Sequence, residues 1–270
     1  MTLQERDRSI LKLVHDHRFI TTNEIMALTP GSRRNLYERL KLLYHHRYLD
    51  RIGYDLYQPM IYALGNRGAD ILTHYYGIDR QRINWQTKNR EAHHHYINHT
   101  LMVSRFRAAL TPMLASVGAT LITWGRDGDM HEYVTYTTAS RRQRGVIIPD
   151  AHFTIDHDGR EHRFFLEADR STMTGDRYLA KLKAYYHYWL QSRRQDGERG
   201  FRVLTLTISP ERRDNLRRLA QSIDASGKGL NLFWFLCEQD YHATPQSLAG
   251  PIWRIPTDEM PQALFGRRVS

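Results

Sequence analysis

The chain has one cysteine, Cys237, in 270 residues. No intramolecular disulfide framework and no multi-cysteine zinc module can be built from it. A reducing, cytoplasmic setting follows most simply. Long apolar runs are missing too. The longest, Leu230 to Cys237, is far short of the ~20 residues a spanning helix needs. The opening MTLQERDRS is charged where a secretory signal would be apolar. These absences exclude disulfide-stapled and membrane-spanning classes. What is present suffices for a core: 41% of residues are hydrophobic, with 16 Tyr, 9 Phe and 5 Trp.

Lysine is scarce, with 6 against 33 arginines. GC-rich coding accounts for such a ratio, but not for the net charge of +10. A basic excess of this size points to a polyanionic partner, and arginine suits bidentate contact with phosphate and guanine edges. Residues 1–90 hold 15 basic and 9 acidic side chains, or +6; residues 91–270 hold 24 and 20, or +4. The excess is densest in the first third.

Residues 1–76 read as one domain. A helix spans about Leu3 to His17, with Leu3, Ile10, Leu13 and Val14 on one stripe. Thr21 or Thr22 caps a short second helix, with Glu24 placed for a capping box. Ser32, after the Pro30-Gly31 break, caps a third helix whose Leu36, Leu40 and Leu43 face inward. Two short strands, YLDRIGY and MIYALGN, flank a loop, and NRGADILTHYY closes the unit as a helix. This order resembles bacterial winged helix-turn-helix regulators. Opposite the leucine stripe lie Arg34, Tyr37, Glu38, Lys41 and His45, with Arg33 in the first turn. Such a face suits the major groove of double-stranded DNA. Arg47 and Arg51 flank the wing, where they could clamp phosphate. The competing reading is a solvated helix face.

Residues 77–91 read as a linker or strap, and residues 92–270 as a second domain. HHHYINHTLMVSRFRAALTPMLASVG reads as one helix. Strands and helices then alternate as β-β-β-β-α-β-α-β, an α+β chain whose second domain is a sandwich on a mixed sheet. GVIIPDAHFTID reads as a single strand interrupted by Pro149-Asp150, and REHRFFLEAD as the next. Period-2 alternation converges Asp150, Glu167 and Asp169 at one sheet end. Clustered carboxylates demand a cation, either Mg²⁺ or a basic side chain. Glu167 could pair with Lys181, Arg177 or another helix cation, and Asp169 could cap the segment that follows. His95 and His99, at i and i+4, read as packing residues rather than ligands, and Cys237 as an inert core thiol. PIWRIPTD reads as an edge segment anchored by Trp253. Arg267 and Arg268 could add nonspecific phosphate attraction.

The PD strand, the Glu167-Ala168-Asp169 strand end and the following basic helix resemble the PD-(D/E)xK nuclease fold. The resemblance implies a restriction-endonuclease-like sandwich, in which Asp150 and Glu167 would hold Mg²⁺. The nuclease lysine position is occupied by Asp169, so Lys181 or Lys183 would have to replace it. Over most of its length the chain is similar to the replication-relaxation family of bacterial mobile elements. IPDA and the run from Glu167 to Thr172 carry that resemblance most sharply. It implies association with DNA more firmly than any reaction.

Three functions stay open on these grounds. The first is a double-stranded DNA-binding regulator or accessory factor of replication, transfer or transcription on a plasmid or other mobile element. It would act as a homodimer, dock through Arg33, Arg34, Tyr37, Lys41, His45, Arg47 and Arg51, and require no cofactor. The second is a Mg²⁺-dependent endonuclease using Asp150, Glu167 and Lys181, with Asp169 as a further metal ligand. The third is a protein-interaction module.

Overall fold

The computed structural model describes residues 2–53, 58–83, 89, 91–126, 128–138, 141–195, 200–242 and 244–265. The middle of the expected wing, part of the expected linker, and Arg267 and Arg268 lie outside them. The chain divides into two compact units, Met1–Ala108 and Ala109–Ser270. The division falls inside a helix rather than in the segment 77–91. Ile83 of that segment is fully buried in the first unit's core.

The first unit runs α1 (Glu5–His17), β1 (Ile20–Thr21), α2 (Thr22–Leu28), α3 (Arg33–His45), β2 (Leu49–Ile52), β3 (Ile61–Leu64) and α4 (Asn66–Tyr76). Capping sets the helix starts. Gln4 and Asp7 form a capping box on α1, and Thr21 and Glu24 form one on α2. Ser32 Oγ accepts from the Asn35 amide at 3.3 Å to start α3. Leu36, Leu40 and Leu43 of α3 are buried with Ile10, Leu11 and Val14 of α1 and with Tyr62. Asp7 is fully buried because Arg39 of α3 meets its carboxylate, with Nε donating at 2.9 Å. The three strands form an antiparallel sheet in the order β1-β3-β2. Gly68 is required where α4 passes β2: a Cβ there would lie 2.2 Å from the Tyr48 carbonyl oxygen.

The long helix α5 (His94–Ser116) starts within this unit. Ile97 and Leu101 bury against Phe19 and Ala63. Ser104 Oγ donates to the Phe19 carbonyl at 2.8 Å, and Arg18 donates to the Tyr96 hydroxyl at 2.8 Å.

The second unit continues with β4 (Thr120–Arg126), β5 (Glu132–Thr138), β6 (Arg141–Ile147), β7 (Ala151–His157), β8 (Arg160–Asp169), α6 (Gly175–Gln195), β9 (Phe201–Thr207), α7 (Pro210–Gln221), β10 (Phe233–Cys237), α8 (Gln239–His242), β11 (Pro251–Ile255) and β12 (Asp258–Ala263). Seven strands make a mixed sheet in the order β12-β11-β10-β9-β8-β7-β4. β8, β9 and β10 run parallel, and the remaining neighbours are antiparallel. The α+β class and mixed sheet expected from the sequence are therefore present. Phe165, Val203, Phe233 and Phe235 on one sheet face bury against Tyr178, Leu182 and Tyr185 of α6 and Leu216 of α7. Trp253 is fully buried, as its anchoring role requires, and Cys237 is buried in β10.

One expectation is corrected. GVIIPDAHFTID is not one strand. Pro149 and Asp150 separate β6 from β7, and β6 pairs with β5 in a separate two-stranded ribbon. Proline lacks the amide that would carry the ladder across this point.

Candidate nucleic-acid interface and carboxylate cluster

In the first unit, Arg33, Arg34, Tyr37, Lys41 and His45 are all exposed; the last four lie on the side of α3 away from its buried leucines, and Arg33 stands in the first turn at their flank. The 3.6-residue period produces this division directly. Arg47 is exposed beyond the helix end, in the left-handed region at φ 62°. The following amide, from Tyr48, donates back to the Leu43 carbonyl at 2.9 Å and closes the helix. Arg51 differs from the others. It is half-buried, with its guanidinium carbon 4.2 Å from the centroid of the Tyr44 ring. Six of the seven predicted contact residues thus share exposure, while the seventh is used in packing.

In the second unit, β8 carries Glu167 and Asp169 on one face, and two helices meet them. Glu167 is 3% exposed. Tyr185 of α6 donates to its Oε1 at 2.5 Å, and Lys181 of α6 pairs with its Oε2. Burial raises the Glu167 pKa to about 7; Lys181 opposes that shift and Asp150 adds to it. Asp169 is 6% exposed. Arg212 of α7 grips it with Nε on Oδ1 at 2.8 Å and a terminal nitrogen on Oδ2 at 2.9 Å. The Ser171 amide also donates to Oδ1 at 2.9 Å, an Asx turn in the loop that precedes α6. Asp150, just before β7, accepts from the Ala168 amide at 2.7 Å through Oδ2.

The structure therefore brings Asp150, Glu167 and Lys181 together and directs Asp169 to Arg212. All four carboxylate oxygens of Glu167 and Asp169 already meet donors. Mg²⁺ is held through carboxylate oxygens in near-octahedral array; here two of the three candidate carboxylates are engaged by Lys181, Tyr185 and Arg212 instead. Among the described residues, no group of three or more His, Cys, Asp or Glu stands where it could hold a metal.

Two partners, Arg212 and Tyr185, escape a reading by sequence spacing. Tyr185 lies in an aromatic stretch of α6 that suits sheet packing or a dimer face equally well. Arg212 sits 43 positions from Asp169 and becomes its neighbour only because β9, paired parallel to β8, returns the chain to the same sheet end. The faint signal was the PERR start of α7, where an arginine in the first turn faces back toward the sheet.

The protein is thus an α+β chain with a basic helical unit and a mixed-sheet unit in which Glu167 and Asp169 are paired with Lys181 and Arg212. A family model described as Replication-relaxation matches residues 11–204, and the chain belongs to the replication-relaxation family. Comparison with curated proteins and with solved structures gives no significant match. Among the described residues, no helix is long and apolar enough to cross a membrane.

Proposed function

We propose that this protein binds double-stranded DNA through α3, with β2 and β3 as the arms of a wing, and serves replication or relaxation of a plasmid or other mobile element. The observation that carries the reading is the exposed row Arg34, Tyr37, Lys41 and His45, with Arg33 exposed in the first turn, backed by the buried stripe Leu36, Leu40 and Leu43. It presents cations and hydrogen-bonding groups on a rigid helix of groove-filling width. The family's description supports the same process. Pairing of two chains would place two such helices on successive half-sites, roughly 34–36 Å apart. Binding by this route needs no cofactor.

The acidic cluster has a different task in this reading. Lys181, Tyr185 and Arg212 tie α6 and α7 to β8 through Glu167 and Asp169. The sheet unit then acts as a scaffold and not as a nuclease.

A mobility-shift series on a labelled duplex tests the reading. Log affinity should fall linearly with log salt, by about 0.9 per phosphate neutralised. The double substitution Arg34→Ala and Lys41→Ala should abolish the shift while the thermal unfolding curve stays in place. Binding that survives in the folded double variant would remove α3 as the docking element.

A further inference from the structure

The β5–β6 ribbon stands outside the main sheet, and its two faces differ sharply. Register pairs Tyr133 with Val146, Thr135 with Arg144, and Thr137 with Arg142. In an antiparallel ribbon directly opposed residues share a face, and alternate residues along each strand repeat it. These six side chains therefore form one face, and all six are exposed. The other face packs on α6. Val134 and Ile147 are buried with Tyr178, Leu182 and Tyr185. Tyr136 stacks on His187 with centroids 4.0 Å apart. At Gly145 a Cβ would fall 2.7 Å from the Ala184 Cβ, so the ribbon seats directly on the helix backbone. Gln191 Nε2 donates to the Thr135 carbonyl at 3.0 Å and fastens the ribbon edge.

The outward face contains two arginines, two threonines, a tyrosine and a valine. None of the six is acidic. The ribbon's one carboxylate, Glu132, pairs with Ile147 on the opposite face. Arg144 is held with its guanidinium carbon 4.2 Å from the Tyr133 ring centroid, which fixes the cation before any partner arrives. Arg142 and Arg144 are two residues apart, or about 7 Å along the strand. Tyr133, 58% exposed, and Val146, 42% exposed, leave an apolar step beside the cations. A two-stranded ribbon is also an element that the major groove admits.

We propose that this face is a second contact surface for duplex DNA. Arg142 and Arg144 meet phosphate oxygens, Thr135 and Thr137 donate their hydroxyls beside them, and Tyr133 with Val146 packs on sugar or base methyl groups. The proposal extends the DNA-binding reading above and rests on it for the identity of the polyanion. It adds a second, independently testable surface, on the unit that lacks α3.

The experiment uses the full chain and a labelled duplex, with affinity read by fluorescence anisotropy across a salt series. Arg142→Ala with Arg144→Ala should make the slope of log affinity against log salt shallower by about 1.8, since each lost phosphate contact removes about 0.9. Arg142→Gln with Arg144→Gln keeps side-chain length and polarity, so it should reproduce the change if charge is the cause. Both variants should unfold at the wild-type temperature. A wild-type slope in either folded double variant overturns the proposal, and so does a wild-type chain that fails to bind duplex. A slope that changes on single-stranded oligonucleotide but not on duplex overturns the assignment of duplex as partner. The α3 double variant separates the two readings. If it keeps binding and the ribbon variant loses slope, α3 fails and the ribbon stands; the reverse pattern removes the ribbon alone.

Discussion

Arg212 holds Asp169 by two parallel bonds, 2.8 and 2.9 Å long, between the first turn of α7 and the last residue of β8. The same arginine donates to the Met173 carbonyl at 2.8 Å, which pins the loop entering α6. One side chain thus fixes three elements at the end of the parallel strands. The planar fork of arginine makes this possible, and lysine could not reproduce it.

The pair is largely desolvated, with side-chain exposures of 18% and 4%. Removing one member strands the other charge. Arg212→Ala should therefore destabilise the protein by about 3–5 kcal/mol, seen as a lower urea midpoint. Replacing both, as in Arg212→Met with Asp169→Leu, should recover most of that loss, because no charge remains buried. A double variant as unstable as the single one would show that the loss comes from loop disorder and not from the unpaired carboxylate.

Glu167 gives a pH signature of opposite sign to that of an ordinary ion-paired carboxylate. Its pKa is raised to about 7 in the folded chain, chiefly by burial. Its unfolded value is the ordinary one near 4.5. The folded state therefore holds the proton more tightly between these values, and the contribution to stability is full below pH 4.5. It is lost as pH rises through 7. Glu167→Gln cannot ionise and lacks this dependence. The stability difference between wild type and Glu167→Gln should shift against wild type as pH goes from 4.5 to 7.5 in urea titrations. A difference that moves the other way would mean that Lys181 outweighs burial.

Asp150 separates the scaffold reading from nuclease chemistry. Its Oδ2 accepts from the Ala168 amide across the open end of the β7–β8 hairpin, opposite the turn. Supercoiled plasmid incubated with Mg²⁺ or Mn²⁺ should stay intact with wild type and with Asp150→Ala alike. Asp150→Ala should instead lower stability by about 1–3 kcal/mol, the cost of an orphaned buried amide. Nicking by wild type that disappears in Asp150→Ala would restore the endonuclease reading.

The first unit was legible in the sequence because each of its signals is local. Thr21 with Glu24 and Ser32 with Asn35 are caps within one turn, and Leu36, Leu40 and Leu43 repeat at the helical period. In the second unit, alternation over residues 151–155 revealed β7, and the buried positions Ala151, Phe153 and Ile155 match it. The separate ribbon was not legible. Nothing local tells β5 and β6 to pair with each other and leave β4 to pair with β7; that choice is made by α6, which supplies the surface under Val134 and Gly145. Arg51 escaped for a similar reason. Its position beside the wing suggested phosphate, but cross-strand register sets it opposite Tyr62, and Tyr44 of α3 lies under its guanidinium.

Arg47 sets stability against binding at a single position. At φ 62° its backbone occupies the left-handed region, where a Cβ costs about 1 kcal/mol and glycine costs nothing. The helix closure that it permits, Tyr48 amide to Leu43 carbonyl, depends on that backbone and not on the side chain. Arg47→Gly should therefore leave the closure intact and change stability little, the relieved strain being offset by glycine's greater freedom when unfolded. Arg47→Val, β-branched, should destabilise by about 1–2 kcal/mol. If the exposed guanidinium meets phosphate, both variants should weaken duplex binding to the same extent and make the salt slope shallower by about 0.9. Equal losses of affinity with unequal stabilities would mark the side chain as a DNA contact and the backbone as a separate constraint. A loss of affinity that instead follows the loss of stability would mean that the arginine serves the turn alone.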